Sequence, residues 1–448
     1  MLAEMNSPAA GAPPAAPDPE REPRWRTFGL TWLSYASYYF TRQHYFVAKK
    51  SIEVDTGINR DGLGQIDTSY AAAYAAGQFL WGFVADAVGA RRVIALGMLA
   101  SAAVSIAIGL SSSFGAFLLL LGLNGLAQAS GWPANLKAIT LWFPKAARGR
   151  IMGFWATCYQ IGSLAAKPAA GFLITATALG WRFAFFTPAV WVAAVGLLVF
   201  FALPERKPSP EPQVEGLKKE ERAPTDADAA ADAAADAAAV RAERDRVIRT
   251  PLVWALGVSY FFMKLIRYIL FFWLPYYMQD ALHYSTRMAS AVPLAFEVGG
   301  VLGAVTIGYL SDRWFAGKRL GLGILFLVLL AGAMPLFGAA AQRGVVQNVL
   351  SLALVGFCLF GPDTLLSATA AQDLGGRRAA ATAAGIINGT GSIGPIIGAY
   401  FASGLIGKYG WSRFFSVLGG GAFVAALVII PFLLRERAGK DVDRAAVK

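Results

Sequence analysis

Two arginines lie at matching places inside apolar stretches of this chain. Arg42 closes the stretch Tyr-Tyr-Phe-Thr-Arg within 27–48, and Arg267 lies 225 residues further on, within 251–279. A charge inside a membrane-spanning segment is costly and usually faces a polar cavity or a partner. A guanidinium stays charged and offers a planar set of donors that fits phosphate or carboxylate oxygens. The pair therefore predicts an anion site, the alternative being structural arginines paired with Glu297 or with backbone carbonyl groups.

Other charged residues within the apolar stretches are candidates for the same site. Lys264 precedes Arg267 by three residues and so lies on a neighbouring face of one helix, where it adds a charge to the site or extends toward an interface. Lys167 is a cavity candidate. Glu297 and Asp363 are the notable acids; either accepts hydrogen bonds from sugar hydroxyls or balances a lysine, and we expect Glu297 to form a structural ion pair.

The elements that must position these residues are long apolar helices. The chain has 448 residues, of which 56% are hydrophobic and 15% charged, whereas about 25% charged residues are typical of soluble domains. A membrane-spanning helix needs about 20 apolar residues, and the apolar stretches are continuous rather than alternating as in a barrel. Twelve such stretches are predicted: 27–48, 64–86, 92–111, 114–140, 150–178, 181–203, 251–279, 289–311, 320–341, 345–371, 380–407 and 411–434.

The net charge of +12 does not form a nucleic-acid patch, because the basic residues collect in short loops between the apolar stretches. These loops would lie on one side together with both termini, which the positive-inside rule makes cytoplasmic. We therefore expect a multi-pass protein of the bacterial inner membrane. Cys158 and Cys358 lie in apolar stretches and are expected to be buried thiols. No phosphate-loop motif and no metal-ligand spacing is present, so neither an enzyme nor a cofactor is predicted.

The chain divides into two similar halves. Residues 204–248 are rich in Pro, Ala, Asp and Glu and are expected to form a cytoplasmic linker. This linker separates an N-terminal six-helix half at 25–203 from a C-terminal six-helix half at 249–437. Short motifs recur at nearly constant offsets, such as 226 residues from Asp86 to Asp312, which indicates repeats of the kind that surround a central site in transporters. The tails, 1–24 and 438–448, fall outside, and the first is expected to be disordered.

The loop after the second apolar stretch contains Gly82-x3-Asp86-x2-Gly89-x-Arg91-Arg92, with a weaker copy at Gly308-x3-Asp312-Arg313. This pattern resembles the signature loop of the major facilitator superfamily. The resemblance implies an all-α membrane fold of twelve transmembrane helices in two pseudo-symmetric halves. It also implies that the Asp and Arg side chains of the two loops pair across the cytoplasmic gate.

Finer motifs resemble the organophosphate:phosphate antiporters, which include the glycerol-3-phosphate and hexose-phosphate transporters. The matching stretches are Tyr38-to-Arg42, Asn124-to-Pro133, Arg267-Tyr268, Phe296-to-Gly300 and Phe360-to-Pro362. The resemblance implies that the arginine pair holds the phosphoryl group of the substrate. It also raises Tyr38 and Tyr74 as cavity tyrosines. Tyr159 stands where the glycerol-3-phosphate transporter has a His, and Gln78 where it has a Lys, so the organic group stays open.

We therefore expect a monomer that exchanges a small phosphorylated metabolite for inorganic phosphate by alternating access. An empty site with two facing cations would disfavour closure, which predicts obligatory exchange. Two alternatives stay open: a proton-coupled carboxylate symporter of the same superfamily, since arginine also binds carboxylates, and a hexose-phosphate sensor that does not transport.

Overall fold

The computed structural model describes residues 21–143, 151–152, 154–155, 157–205, 238, 241–243, 245–313, 319–366 and 370–437. Within these residues the backbone is helical apart from short turns. The helices of the first half are Arg21–Thr56 (α1), Arg60–Val88 (α2), Ala90–Leu110 (α3), Phe114–Ala129 (α4), Gly131–Trp142 (α5), Thr157–Ala176 (α6) and Phe183–Ala202 (α7). Those of the second half are Pro251–Asp280 (α8), Thr286–Ala291 (α9), Leu294–Arg313 (α10), Arg319–Ala340 (α11), Val345–Thr364 (α12) and Ala370–Arg437 (α13).

Eight helical stretches in the described part of the chain are long and apolar enough to cross a membrane. Helices α1, α2 and α6 are not among them, although each has 20 residues or more. These three helices carry polar residues in their interiors, such as Arg42, Asp67 and Lys167, which lower their hydropathy. These three helices thus look less like membrane spans because of the charged residues that they bring into the bundle.

Helix α13 accounts for the last two predicted spans. Its apolar part, residues 385–435, is 51 residues long, or about 77 Å at 1.5 Å per residue, more than twice the ~30 Å hydrocarbon thickness. Gly410 has a φ of +71°, a left-handed conformation that glycine adopts without strain. Residues before it pack along α8, as at Gly394 against Phe261, and residues after it return along α11, as at Gly419 against Ala331. The chain thus reverses direction at Gly410.

Glycines bring the helices into backbone contact at equivalent places in the two halves. A Cβ on Gly299 of α10 would lie 2.0 Å from the carbonyl oxygen of Ala353 in α12, and one on Gly125 of α4 would lie 2.4 Å from that of Tyr70 in α2. Small residues allow this approach in membrane helices, where packing replaces the hydrophobic effect. The same crossing in both halves is consistent with the predicted repeat.

We call the end of the bundle that holds Arg21 and Arg437 the terminal end, and the opposite end the distal end. The halves are joined at the distal end by several bonds. Lys50 contacts Asp280 at 2.8 Å and Arg60 contacts the same carboxylate at 2.9 Å. Lys49 donates to the carbonyl of Phe272 at 3.1 Å. The bundle is therefore closed at its distal end.

Lys49, Lys50 and Arg60 lie at the distal end, away from the basic loops of the terminal end, and carboxylates balance their charges. Lys49 is fully buried and forms an ion pair with Asp67, which is equally buried. The other two share the carboxylate of Asp280. Each of these three residues thus has a carboxylate partner and does not act as a free positive charge in a loop.

Candidate anion site

Arg42 projects from α1 into the interior between the halves. Its Nε donates a hydrogen bond to Oε1 of Gln128 at 2.7 Å. The guanidinium lies between the rings of Tyr39 and Tyr74, at 4.9 and 5.0 Å from their centroids. The residue is 8% exposed, and its Nη2 has no hydrogen-bond partner. A buried donor without a partner is costly, so an oxyanion that reached this nitrogen would satisfy it.

Gln128 holds Arg42 in place. Its Oε1 also accepts from the hydroxyl of Tyr70 at 3.2 Å, and its Nε2 donates to Oγ1 of Thr41 at 3.0 Å. The amide is fully buried, so these bonds fix which atom points at Arg42. Sequence reasoning did not select Gln128 as a site residue. The signal was present, since Gln128 lies within the stretch Asn124-to-Pro133 that carries the family resemblance.

Arg267 projects from α8 and has an acidic partner. Its Nη1 donates to Oδ2 of Asp363 at 2.8 Å, and its guanidinium lies 4.4 Å from the ring centroid of Phe360. The partner of Arg267 is thus Asp363 rather than Glu297, the acid considered from the sequence. Asp363 follows Pro362 in α12, and a proline inside a helix removes a backbone hydrogen bond and bends the helix. The side chains of Arg267 and Asp363 are 29% and 15% exposed.

The two arginines border one site. Tyr39 of α1 and Tyr268 of α8 each lie within electrostatic range of both Arg42 and Arg267. The ring of Tyr39 packs against the guanidinium of Arg42, and Tyr268 follows Arg267 directly in the chain. The structure therefore brings together the pair that the sequence placed at equivalent positions. From the sequence, Tyr268 was identified only as part of the motif Arg267-Tyr268 and not as a site residue.

Lys264 lies one turn from Arg267 on α8 and points into the bundle rather than toward an interface. Its Nζ donates to Oδ1 of Asn388 at 2.6 Å and to Oγ of Ser392 at 3.1 Å, both on α13. It also lies 5.0 Å from the ring centroid of Tyr260. These partners are neutral, so Lys264 contributes positive charge beside Arg267.

Lys167 and Glu297 form an ion pair between the halves. Nζ of Lys167 in α6 lies 3.0 Å from Oε1 of Glu297 in α10, and the side chains are 3% and 8% exposed. Ser163 donates to the same oxygen at 3.1 Å and accepts from Gln43 at 3.1 Å. The structural ion pair predicted for Glu297 is present, and its partner is Lys167 rather than an arginine. Lys167 therefore lies in the cavity region but is already paired.

The three predicted tyrosines occupy different places. Tyr74 stacks on Arg42 and on Tyr70. Tyr159 is half-buried and lies within electrostatic range of Arg267. Tyr38 is fully buried within the N-terminal half, where its hydroxyl contacts Ser130 Oγ at 2.8 Å. Of the three, only Tyr74 contacts an arginine; Tyr159 lies within electrostatic range of Arg267 and Tyr38 within that of Arg42, with the Tyr38 hydroxyl bonded to Ser130.

The predicted gate residues lie at the terminal end. Arg91 contacts Glu205, at the start of the linker, at 3.1 Å. Arg92 is exposed, and Arg313 lies 5.8 Å from the ring centroid of Tyr309. The side chains of Asp86 and Asp312 lie outside the described part of the structure. Pairing across the gate therefore stays a prediction.

The site is rich in cationic donors. Among the described residues, no group of three or more His, Cys, Asp or Glu side chains is placed to hold a metal ion. Two arginines and a lysine lie in the interior of the bundle, and the bundle is closed at one end. Buried charges between two helical halves are typical of a membrane transporter.

Comparisons with known proteins identify the family. The sequence profile described as the Major Facilitator Superfamily matches residues 31–399, and the chain belongs to this family. A glucose-6-phosphate exchanger of Bos taurus, SLC37A2, is 29% identical over 404 residues, which cover 84% of this chain and 81% of the exchanger. A Chlamydia trachomatis protein described as "Probable hexose phosphate transport protein" is 29% identical over 420 residues, covering 91% and 90%. The predicted resemblance to organophosphate transporters is confirmed.

The fold is confirmed by a solved structure. A bacterial homologue of the human lysosomal transporter Spinster, in an inward-facing and occupied conformation, superimposes with a TM-score of 0.68. The match covers 97% of this chain and all of that chain at 15% identity. The predicted all-helical fold with two pseudo-symmetric halves is therefore correct.

Proposed function

We propose that this protein exchanges an organophosphate, of the sugar-phosphate or glycerol-3-phosphate type, for inorganic phosphate. The observation that carries this proposal is the buried guanidinium of Arg42, whose Nη2 has no hydrogen-bond partner while Arg267 lies nearby. A phosphoryl group has three acceptor oxygens and accepts paired bonds from arginine. The relatives described as a glucose-6-phosphate exchanger and a hexose phosphate transport protein support the same class of substrate.

The proposed site works by alternating access, in which the two halves rock about a central ligand. Arg42 belongs to the N-terminal half and Arg267 to the C-terminal half, so one phosphoryl group bonded to both would draw the halves together. Closure of the distal end is the state that the structure presents. We place both termini in the cytoplasm of a bacterial cell, with the protein acting as a monomer in the inner membrane. The terminal end then faces the cytoplasm.

The test is exchange in vesicles that contain the purified protein and are loaded with phosphate. External glucose-6-phosphate or glycerol-3-phosphate should release internal phosphate, whereas a dicarboxylate should not. Specific binding without release would instead indicate a sensor, and uptake driven by a proton gradient without internal phosphate would indicate a symporter.

Arginine variants connect this activity to the site. Arg42→Lys and Arg267→Lys keep the charge but lose the planar set of donors. Each is expected to raise the KM for phosphate about tenfold to a hundredfold, the effect of one charge-assisted hydrogen bond. Exchange that proceeds in both variants with the KM of the original protein would refute the proposed site.

A further inference from the structure

Helix α9 is joined to its neighbours in the C-terminal half through two breaks in the helical backbone. Toward α8, residues 281–285 lie outside the helices, and His283 has a φ of +53°, which is uncommon for a residue other than glycine. Toward α10, a turn at Val292 and Pro293 interrupts the helix. Proline has no amide hydrogen, and the amide of Ala295 bonds to the carbonyl of Val292, three residues back instead of four. Both ends of α9 are therefore hinge points.

The break before α10 is specific to the second half of the chain. The residue 226 positions before Pro293, at the offset of the repeat, is Asp67. Asp67 lies in the interior of α2, which runs without a break from Arg60 to Val88. The fold therefore does not require a break at this place, and the break indicates a role of α9 itself.

Helix α9 packs more extensively against α6 of the N-terminal half than against α8 of its own half. Nε of Arg287 donates to Oγ1 of Thr175 at 2.8 Å. One turn earlier in α6, a Cβ on Gly171 would lie 2.0 Å from Oγ of Ser290. Ala289 and Ser290 are 0% and 1% exposed. A segment of the C-terminal half is thus docked on a glycine of the N-terminal half.

We propose that α9 is a lid at the distal end, which docks on α6 when that end is closed and moves relative to the rest of its own half when the end opens. The two breaks supply the hinges, and the surface around Gly171 fixes the closed position. The five residues 281–285 reach about 17 Å when extended, so the connection to α8 permits this motion. In rigid halves, by contrast, α9 would keep its place relative to α11.

Undocking of α9 leaves the rest of this seam between the halves intact. The ion pair of Lys167 and Glu297 lies on the α10 side of the turn, so it stays formed when α9 leaves α6. The hydrogen bond between Arg287 and Thr175 is lost, but both side chains are already exposed. No buried charge is therefore left without a partner when the lid moves.

The test measures two distances with pairs of spin labels in the purified full-length protein. Cys158 and Cys358 are buried and take no label while the protein is folded. One pair, Met288→Cys in α9 and Gln342→Cys after α11, lies within the C-terminal half. The other pair, Leu110→Cys at the end of α3 and Gln342→Cys, spans the two halves. All three labelled positions are exposed and lie at the distal end.

Gly171→Leu fills the surface on which α9 docks. We expect the distance within the C-terminal half to change by about 2–5 Å, the range of helix shifts in switching proteins. The distance between the halves should change less, because the pair of Lys167 and Glu297 still holds them. Gly115→Leu is the matched control, since Gly115 lies at the distal end with open space around it, and it should change neither distance.

A compensating substitution separates docking from general misfolding. Gly171→Ala alone overpacks the contact and should shift the distance within the half in the same direction as Gly171→Leu, by a smaller amount. Ser290→Gly removes the two atoms nearest to the new methyl group, at 2.0 and 2.7 Å, and leaves the carbonyl oxygen of Thr286 at 3.1 Å. The double variant should therefore return to the original distance.

Two results would overturn the lid. One is a constant distance within the C-terminal half of Gly171→Leu, whether or not the halves move apart, because α9 then moves only with its half. The other is a double variant that stays at the distance of Gly171→Ala, and this comparison decides if Gly171→Leu does not fold. The measurements use no transported solute, so a failure of phosphate exchange would remove the proposed function and leave the lid in place.

Discussion

Removing Glu297 should destabilise the transporter strongly, and removing Lys167 with it should restore part of the loss. The two side chains are 3.0 Å apart and are 3% and 8% exposed. Loss of one member of a buried ion pair leaves the other charge uncompensated, which costs about 3–5 kcal/mol. We expect this loss for Glu297→Gln. Lys167→Met in the same chain removes the stranded ammonium, so the double variant should be more stable than Glu297→Gln alone.

Two buried cysteines provide the assay. Cys158 and Cys358 are 0% and 1% exposed, so a fluorogenic thiol reagent reacts with them only when the protein unfolds. The melting temperature in detergent should be lowest for Glu297→Gln, intermediate for the double variant and highest for the original protein. The coupling energy between Glu297→Gln and Lys167→Met should be about 2–3 kcal/mol, which lies within the range found for directly interacting residues.

A matched control separates burial from charge. Asp55 pairs with Arg182, but their side chains are 47% and 28% exposed. Asp55→Asn should therefore cost less than about 1 kcal/mol. Two results would contradict this reasoning. One is that Glu297→Gln melts at the same temperature as Asp55→Asn, and the other is that the effects of Glu297→Gln and Lys167→Met simply add. Either result would show that the ion pair of Lys167 and Glu297 does not stabilise the contact between the halves.

Two further predictions concern the site and the closed end. Gln128→Leu should raise the KM for phosphate about fivefold to 150-fold in the exchange assay, because Nε of Arg42 and the hydroxyl of Tyr70 lose their acceptor, a loss of about 1–3 kcal/mol; a KM unchanged from the original protein would contradict the positioning role of Gln128. Asp280→Asn should shift the halves toward opening at the distal end, since two cations lose their shared carboxylate. Fluorescent labels at the distal ends of α4 and α11 should then move apart, and an unchanged distance would show that this carboxylate does not hold the end closed.

The fold was largely predictable because a bilayer imposes a simple constraint on composition. Long apolar stretches and their repeat over the two halves were visible without any tertiary information. The join of the last two spans was visible as well. Residues 380–407 and 411–434 were predicted as separate spans, and the left-handed backbone of Gly410 reverses the chain between them.

The site was predictable where charge stands out against an apolar background, as for Arg42, Arg267 and Lys264. The pairing of Arg267 with Asp363 was not predictable, because it joins α8 to α12 across 96 residues of sequence. Gln128 was also missed as a ligand of Arg42, since a neutral amide in a helix gives no electrostatic signal of its own. The role of Tyr38 stays a prediction, because its position in a shared motif does not reveal that its hydroxyl bonds to Ser130.

The halves are attached at the distal end in two ways, by a hydrogen bond from Lys49 and by the ion pairs of Lys50 and Arg60. The carboxylate partner of Lys49, Asp67, belongs to the same half, and what Lys49 gives to the other half is one hydrogen bond to a backbone carbonyl. When the halves part there, this charge pair travels intact and leaves no stranded ion. Lys50 and Arg60, by contrast, lose their ion pairs with Asp280 when the halves separate, and water then hydrates these charges. Dissolved salt weakens the ion pairs by screening and so lowers the free energy needed to separate the halves. Ionic strength thus affects the ion pairs of Lys50 and Arg60 with Asp280, whereas the buried pair of Lys49 and Asp67 separates from the other half without leaving an unpaired charge.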